Sequence, residues 1–321
     1  MDIREFLAAL GGLSLFLYGM YRMSVSLNAS MGQRGRRLLE RLTKNRVAGV
    51  LAGCAVTAVL QSSSATTVMV VGLVNTGALT LRQAVWVIMG ANIGTTVTAQ
   101  LVALKIGELA PLAVFFGVLL LCGKNERLAK AGELTASLGV LFMGMELMCS
   151  ALSVLGTSRT MTGLLVSFGH PVGGILPGIL LAAIIQSSSA AVGVLQALAE
   201  SGSIAFCNAV YVLFGQNVGT CVTALLASVG MSRNARRAAL IHLMFNMVGM
   251  LVFATLCLCT PLVEWVEQLI PGRPAAQIAT MHTLLNLGTT LLLLPMGGVL
   301  ADWAEWILPD QRMYFGKDVR K

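Results

Sequence analysis

Two copies of one polar run interrupt otherwise apolar sequence. Gln61-Ser62-Ser63-Ser64 returns as Gln186-Ser187-Ser188-Ser189, where a membrane helix would be apolar. Serine hydroxyls, together with the free N–H groups at the start of a helix, form a cradle for an anion. The Gln carbonyls, beside carbonyls freed where the preceding helix ends, suit a hard cation such as Na⁺. The predicted anion ligands are Ser62, Ser63, Ser64, Ser187, Ser188 and Ser189.

A second repeated pair of motifs is rich in glycine and neutral oxygens. Gly90-Ala91-Asn92-Ile93-Gly94-Thr95 returns as Gly215-Gln216-Asn217-Val218-Gly219-Thr220. Because two glycines weaken a helix interior by about 1 kcal/mol each, we predict a broken crossing helix in each copy. The oxygens suit a sodium site or contacts to a substrate, and close helix packing is the alternative. The predicted sodium ligands are the two glutamines and six Asn and Thr side chains: Gln61, Gln186, Asn92, Thr95, Thr98, Asn217, Thr220 and Thr223.

Three further side chains are weaker site candidates: Thr66, Glu146 and Glu200. A carboxylate inside a membrane span is a functional candidate by default. Glu200 lies close enough to a predicted interface to be simply hydrated. For Glu146 a functional role and a paired structural role are equally open.

The histidines and cysteines are weaker candidates for a functional site than the serine runs. His242 with Asn246, and His282 with Asn286, stand four residues apart on one helix face. A cross-helix hydrogen bond is the preferred interpretation, and a proton relay is the alternative. The seven cysteines are scattered through apolar segments without C-x-x-C spacing, so we expect neither a metal site nor a disulfide framework.

The composition is that of an integral membrane protein, with 56% hydrophobic residues, 11% charged residues and a mean hydropathy of +0.80. The first apolar stretch has no basic segment or small-residue cleavage site before it, so we expect a retained helix rather than a signal peptide. Apolar runs long enough to cross a bilayer lie at 5–27, 80–104, 132–155, 204–229, 238–259 and 277–295, with 109–122 a shorter candidate.

Four shorter apolar runs flank the serine runs, at 47–60, 65–77, 173–185 and 190–202. Each would extend only about 20 Å as a helix, which is short of a hydrocarbon core of about 30 Å. We therefore predict that each pair forms a re-entrant helical hairpin, which enters and leaves the membrane on the same side.

The basic residues predict the topology. They are concentrated in 28–46, 123–131, 230–237 and 309–321, whereas the alternate loops contain Lys105, Arg159 and Arg273. The formal charge of +8 is thus a positive-inside signal rather than a nucleic-acid surface. It predicts a multi-pass protein of the cytoplasmic (inner) membrane, with the N-terminus outside and the C-terminus in the cytoplasm.

The first half of the chain is predicted to cross the membrane three times. Because this number is odd, the second half is predicted to have the opposite orientation in the membrane. The predicted fold is therefore all-α, with two inverted-topology repeats, each containing a re-entrant hairpin and a broken transmembrane helix, plus one extra C-terminal helix. The predicted units are the first repeat 1–125, the second repeat 126–259, an extracellular connection with the last transmembrane helix 260–308, and a cytoplasmic tail 309–321.

The chain resembles the type II sodium-dependent inorganic phosphate cotransporters, including their bacterial members. The resemblance rests on the doubled Gln-Ser-Ser-Ser and on the segments 89–95 and 214–220, and extends loosely over residues 5–300. It implies sodium-coupled phosphate movement, with phosphate and sodium held at the two Gln-Ser-Ser-Ser tips. Serine is usual in that family at the positions of Ala91 and Gln216, so the resemblance implies no ligand role for these two. Many bacterial relatives also append a regulatory helical domain, which we do not expect after residue 308.

Transport physics favours the same function, a symporter of phosphate and sodium rather than an enzyme. Moving a dianion inward against roughly 100 mV costs about 4.6 kcal/mol, and neither hairpin contains Lys or Arg, so sodium would supply the balancing charge. The expected partners are inorganic phosphate, sodium ions and the lipid bilayer, and no nucleic acid is expected. We expect no cofactor except Na⁺ as the coupling ion. A homodimer is a further hypothesis.

Several alternatives remain open at this point. The chain could carry another oxyanion such as sulfate, couple to protons, or export phosphate. An intramembrane serine hydrolase is a remote alternative, because the doubled serine triplet has no Gly-x-Ser-x-Gly elbow. A non-transporting membrane scaffold would need no broken helices.

Overall fold

A computed structural model describes residues 3–43, 45–104, 107–123, 125–155 and 170–310. These residues form α-helices and their connections, with no strand among them. In chain order the helices are α1 (Ile3–Leu42), α2 (Arg46–Leu60), α3 (Ser63–Asn75), α4 (Leu81–Val102), α5 (Ala110–Leu121), α6 (Glu126–Leu155), α7 (Pro171–Ile185), α8 (Ser188–Glu200), α9 (Phe206–Gly219), α10 (Cys221–Ala227), α11 (Arg233–Cys259), α12 (Leu262–Leu269), α13 (Pro274–Leu293) and α14 (Gly297–Ile307).

Within these ranges, five segments are long and apolar enough to cross a membrane: Ile3–Leu27, Leu81–Val102, Glu126–Val154, Phe206–Ala227 and Arg233–Cys259. A sixth, α13 with α14, is bent by 84°. Each contains or overlaps a span predicted from sequence, which confirms a multi-pass helical membrane protein. The predicted run 109–122 forms α5, which has only 12 residues.

The internal repeat of the sequence extends to the helix boundaries. α2 and α3 begin at Arg46 and Ser63, and their counterparts α7 and α8 begin 125 residues later, at Pro171 and Ser188. The long helices follow the same offset, since α4 corresponds to α9 with α10. The two halves therefore fold the repeated sequence into the same local structure.

Glycines set how closely the helices of each half approach. A Cβ on Gly90 of α4 would lie 1.9 Å from the Val50 carbonyl oxygen of α2. The equivalent Gly215 of α9 would place one 2.0 Å from the Ile175 oxygen of α7. Both distances are far below van der Waals contact, so only glycine permits this packing. The first helix of each hairpin is thus held against the crossing helix of its own repeat.

This packing corrects the prediction that each crossing helix is broken at its glycine motif. α4 runs unbroken from Leu81 to Val102, so the prediction is wrong for the first repeat. In the second repeat, α9 ends at Gly219 and α10 begins at Cys221, with a single turn residue, Thr220, between them. In both repeats the glycines permit the close approach of another backbone, and only in the second repeat does the helix also break beside the motif.

The predicted basic loop 28–46 is also corrected. α1 continues through most of it and ends at Leu42. Arginine, leucine and glutamate are good helix formers, so hydrophilic sequence here extends the helix beyond its apolar part. The alternate loop that contains Arg159 and the predicted tail 309–321 lie almost wholly outside the described residues.

Candidate functional site

Each hairpin reverses at its glutamine. Gln61 has φ 56° and ψ 23°, and Gln186 has φ 56° and ψ 21°, both in the left-handed region. Their N–H groups donate to Thr57 O and Ala182 O and so close the last turns of α2 and α7. All other described residues with positive φ are glycines. A glutamine here carries a conformational cost of roughly 1–2 kcal/mol that glycine would avoid, which suggests that the side chain has a function.

The first serine of each run begins the second helix of its hairpin. Ser62 has an extended backbone, and its Oγ accepts a hydrogen bond from Ala65 N at 3.1 Å. Ser187 does the same with Ala190 N at 3.3 Å. These two predicted anion ligands are therefore N-caps first. Each N-cap hydroxyl can still donate to a ligand.

The two hairpin tips meet. Ser63 Oγ lies 3.0 Å from Ser188 Oγ, and both side chains are buried. Ser64 Oγ donates to the Gln186 carbonyl oxygen at 3.4 Å, a second contact between the tips. Ser189 is also buried, and within the described part of the chain its Oγ has no hydrogen-bond partner. Residues of the two serine runs, 125 positions apart in the sequence, are thus in direct contact through Ser63 and Ser188.

The same contact brings two helix N-termini together. α3 begins at Ser63 and α8 at Ser188, so the first N–H groups of both helices lie at the junction. Each helix start is equivalent to about half a positive charge, and two such ends facing one another repel. No basic side chain lies in either tip. An anion held between the tips would relieve that repulsion and receive hydroxyl and N–H donors from both repeats.

Two predicted sodium ligands of the first repeat lie together. Thr98 Oγ1 donates to Gln61 Oε1 at 2.7 Å, and Gln61 Nε2 donates to Ala58 O. Asn92 is buried, and its Nδ2 donates to Ile88 O of its own helix. Thr95 Oγ1 donates to Ala91 O of the same helix. These contacts occupy the donors and leave oxygen lone pairs, which is the arrangement that a cation requires.

The asparagine of the second glycine motif, Asn217, forms hydrogen bonds to another helix rather than within its own. Asn217 Nδ2 donates to Asn286 Oδ1 at 3.1 Å, and Asn217 Oδ1 lies 3.1 Å from His282 Nε2. The preferred interpretation of His282 as a cross-helix hydrogen-bonding group is confirmed. It links α13 to the glycine motif, a connection that the sequence did not reveal. Thr220 and Thr223 donate to carbonyls of their own helical segment.

The other histidine has a different environment. His242 is buried, and its ring nitrogens have no hydrogen-bond partner among the described residues. Asn246, one turn further on, donates to His242 O and to Cys221 Sγ. The buried contact between α10 and α11 therefore contains polar groups, and these bonds do not link it to either hairpin tip.

Glu146 and Glu200 line one cavity of about 270 Å³, together with Glu108 and Cys149. Both predicted carboxylates are exposed to it. Glu200 Oε2 accepts from Ala275 N at the start of α13. Since the cavity lies at the far end of α8 from the serines, neither carboxylate is part of the tip contact.

Thr66 has a structural role that the sequence left undefined. It is buried, accepts from Thr57 Oγ1 at 2.9 Å and donates to Ser62 O. The bond joins α2 to α3 within the first hairpin. The equivalent positions of the second hairpin are Ala182 and Ala191, where this bond cannot form.

Two residues that the sequence did not select as ligands hold the second hairpin in place. Gln216 Nε2 donates to Ala191 O at 3.0 Å, which ties α8 to α9. Gln196 Nε2 donates to both Ala99 O and Ala275 O. Both glutamines are fully buried. Their only signal in the sequence is an amide inside an apolar helix.

The chain is similar to transport proteins over most of its length. A family model described as Na⁺/Pi-cotransporter matches residues 15–150 and 144–260. A Bacillus subtilis protein described as uncharacterized protein YqeW is 30% identical over 92% of this chain and 95% of its own length. The putative inorganic phosphate export protein YjbB of Salmonella typhimurium is 29% identical over 94% of this chain, which spans only 55% of that protein.

A shorter similarity links the chain to animal proteins. The sodium-dependent phosphate transport protein 2A of Rattus norvegicus is 37% identical over 97 residues, 30% of this chain and 15% of that protein. No solved structure matches the chain.

Proposed function

The chain belongs to the Na⁺/Pi-cotransporter family, and from this premise we propose that it is a secondary transporter that couples inorganic phosphate to sodium. The observation that carries the proposal is the 3.0 Å contact between Ser63 and Ser188. It brings the starts of two helices, one from each serine run, into contact. That junction is the proposed phosphate site, formed by Ser62, Ser63, Ser64, Ser187, Ser188 and Ser189.

Sodium is the proposed coupling ion because the hairpin tips contain neutral oxygens and no basic side chain. Gln61 and Thr98, already in contact, are the proposed core of a sodium site beside the first tip. Asn92 and Thr95 are further proposed ligands of that repeat, and Gln186, Asn217, Thr220 and Thr223 are their proposed counterparts. Asn217 is the least available of these, because its oxygen faces His282.

We also propose that residues 1–125 and 126–259 are inverted repeats with re-entrant hairpins. Asn75, at the end of the first hairpin, accepts from Ser232 N and is joined to the start of α4 by the short connection 76–80. Glu200, at the end of the second hairpin, contacts Ala275, and the neighbouring Arg273 donates to Ala103 O at the other end of α4. α4 is about 33 Å long. The hairpin bases therefore lie about one bilayer thickness apart while their tips touch, which supports two hairpins entering from opposite sides.

Radiolabelled phosphate uptake into proteoliposomes tests the proposal. We expect accumulation with an inward sodium gradient and none when choline replaces sodium at constant pH. Uptake driven equally by a pH gradient without sodium would contradict sodium coupling. Competition by excess sulfate at unchanged sodium would contradict phosphate as the preferred oxyanion.

Export is a second candidate direction, favoured by the printed description of the YjbB proteins as putative phosphate exporters. A secondary carrier runs in the direction set by its gradients, so direction is tested separately from coupling. Vesicles loaded with phosphate and given an outward sodium gradient would show sodium-dependent efflux. Efflux that persists without any sodium gradient would favour an exporter with another driving force.

Hydrolysis is not supported by the tip geometry. A serine nucleophile needs a base within hydrogen-bonding distance. Ser63 is paired with Ser188, and among the described residues no histidine hydrogen-bonds to a hairpin serine. These contacts support anion binding at the tip better than activation of a hydroxyl.

A further inference from the structure

The last helix, α14, is attached to the protein along one face only. It turns away from α13 by 84°, so if α13 crosses the membrane, α14 lies close to the membrane plane. The face toward the protein consists of small and aliphatic residues, Gly297, Leu300, Ala301 and Ala304, all buried. Gly297 is required there, because a Cβ would lie 2.0 Å from the Trp86 ring. α14 thus packs tightly as a short helix across the end of the bundle.

Two chemically different flanks lie on either side of that buried face. Trp303, Trp306 and Ile307 are exposed, with Trp306 81% exposed. Asp302 and Glu305 are exposed as well. At about 100° per residue the aromatic flank and the acidic flank are centred roughly 120° apart. One flank is therefore suited to a hydrocarbon boundary and the other to water.

Arginines hold α14 in this orientation. Arg46 donates to Pro295 O just before the helix, Arg82 forms an ion pair with Asp302 at 3.2 Å, and Arg237 donates to Leu308 O at 2.9 and 2.7 Å. These arginines come from α2, α4 and α11, so three separate elements fix one short helix. The aromatic flank consequently cannot rotate inward to bury itself.

We propose that α14 is an interfacial helix whose partner is the lipid surface, with Trp303, Trp306 and Ile307 at the boundary between headgroups and acyl chains. Tryptophan favours this depth because its ring is apolar and its N–H remains near water. Leu291 and Leu292, in the last turn of α13, are exposed apolar side chains as well. The exposed Arg46, which donates to Pro295 O just before α14, would attract anionic headgroups. The acidic flank faces the aqueous phase.

Depth-dependent fluorescence quenching tests this placement in the full chain. The wild type and the W303F/W306F variant are reconstituted in lipids brominated either near the glycerol or at the acyl terminus. The fluorescence that the double substitution removes is that of α14, and we expect the shallow bromines to quench it most strongly. Both replacements are aromatic and exposed, and the single variants W303F and W306F provide the same comparison if the double variant does not fold.

Two results would overturn the proposal. Strongest quenching by terminal bromines would place α14 deep in the bilayer, as the second half of a spanning helix. No quenching by either lipid would place the flank in water or against a second copy of the chain. W265F is the matched control, because Trp265 is an exposed tryptophan of α12. Its removal must leave the α14 difference signal unchanged.

Discussion

The glutamines at the hairpin tips occupy a backbone conformation that favours glycine. The chain places glycine at its other described positive-φ positions, Gly77, Gly202, Gly230 and Gly272, but glutamine at 61 and 186. A side chain kept at a conformational cost at both tips argues for a role in binding.

Gln186→Gly should separate stability from function. The Gln186 side chain is exposed, so the substitution relieves the left-handed strain and should raise the free energy of unfolding by about 1 kcal/mol. Sodium-dependent phosphate binding, measured by calorimetry, should fall. The matched Gln61→Gly should raise the free energy of unfolding by less, because this substitution also removes the hydrogen bonds to Thr98 and Ala58. Unchanged phosphate affinity in both variants would contradict a binding role.

The serine pair gives a second prediction at this scale. Ser63→Ala and Ser188→Ala should each weaken phosphate binding by about 1.5–3 kcal/mol, roughly 10- to 150-fold, since each removes a hydrogen bond to a charged ligand. The double variant should lose less than the sum, because the two hydroxyls are bonded to each other. Ser14→Ala, an exposed serine of α1, is the control. Affinities equal to wild type in all variants would mean that the contact is packing only.

At the scale of elements, the glycine motifs act as spacers between helices. Gly90→Ala introduces a Cβ 1.9 Å from Val50 O and should separate α4 from α2, at a cost of about 1–3 kcal/mol or more. Gly72→Ala is the matched control, since a Cβ there meets nothing within 4 Å and alanine favours the helix. Thermal unfolding in detergent measures both. Equal midpoints for the two variants would contradict the spacer role.

The two hairpins are fastened differently, which predicts different dynamics. The first is tied internally by Thr57 and Thr66, whereas the second is tied to α9 by Gln216. Thr57→Val should cost about 0.5–1.5 kcal/mol and speed hydrogen exchange in α2 and α3 alone. Thr255→Val, an exposed threonine of α11, should change exchange in neither hairpin. Faster exchange in α7 and α8 would show that the hairpins are not independently fastened.

At the scale of the whole molecule, inverted topology predicts labelling from opposite sides. Ala78 and Ala205 are exposed residues in the connections that follow the first and second hairpins. In a background without exposed cysteines, Ala78→Cys and Ala205→Cys should react with a membrane-impermeant maleimide from opposite faces of sealed vesicles. The background requires replacement of Cys122, Cys207 and Cys259. Labelling of both from one face would contradict the inversion.

The sequence by itself determined much of this architecture because its signals are local. Apolar run length fixed the spans, and the duplicated Gln-Ser-Ser-Ser fixed where the hairpins turn, since a polar break and an N-cap serine act within a few residues. The 125-residue offset then predicted that the two tips are equivalent.

Only the tertiary structure decided which neighbours those residues have. A glycine that weakens a helix and a glycine that admits another backbone look alike in sequence, and the contact of Gly90 with Val50 settles the difference. Asn217 belongs to the second repeat, and its partner His282, 65 positions later, belongs to a helix outside both repeats. No periodicity in the sequence could therefore predict this pairing. Local propensity acts between residues close in the chain, whereas packing and hydrogen bonding act between residues close in space. The sequence shows which positions differ between the two repeats, and only the tertiary structure shows which contacts those differences make.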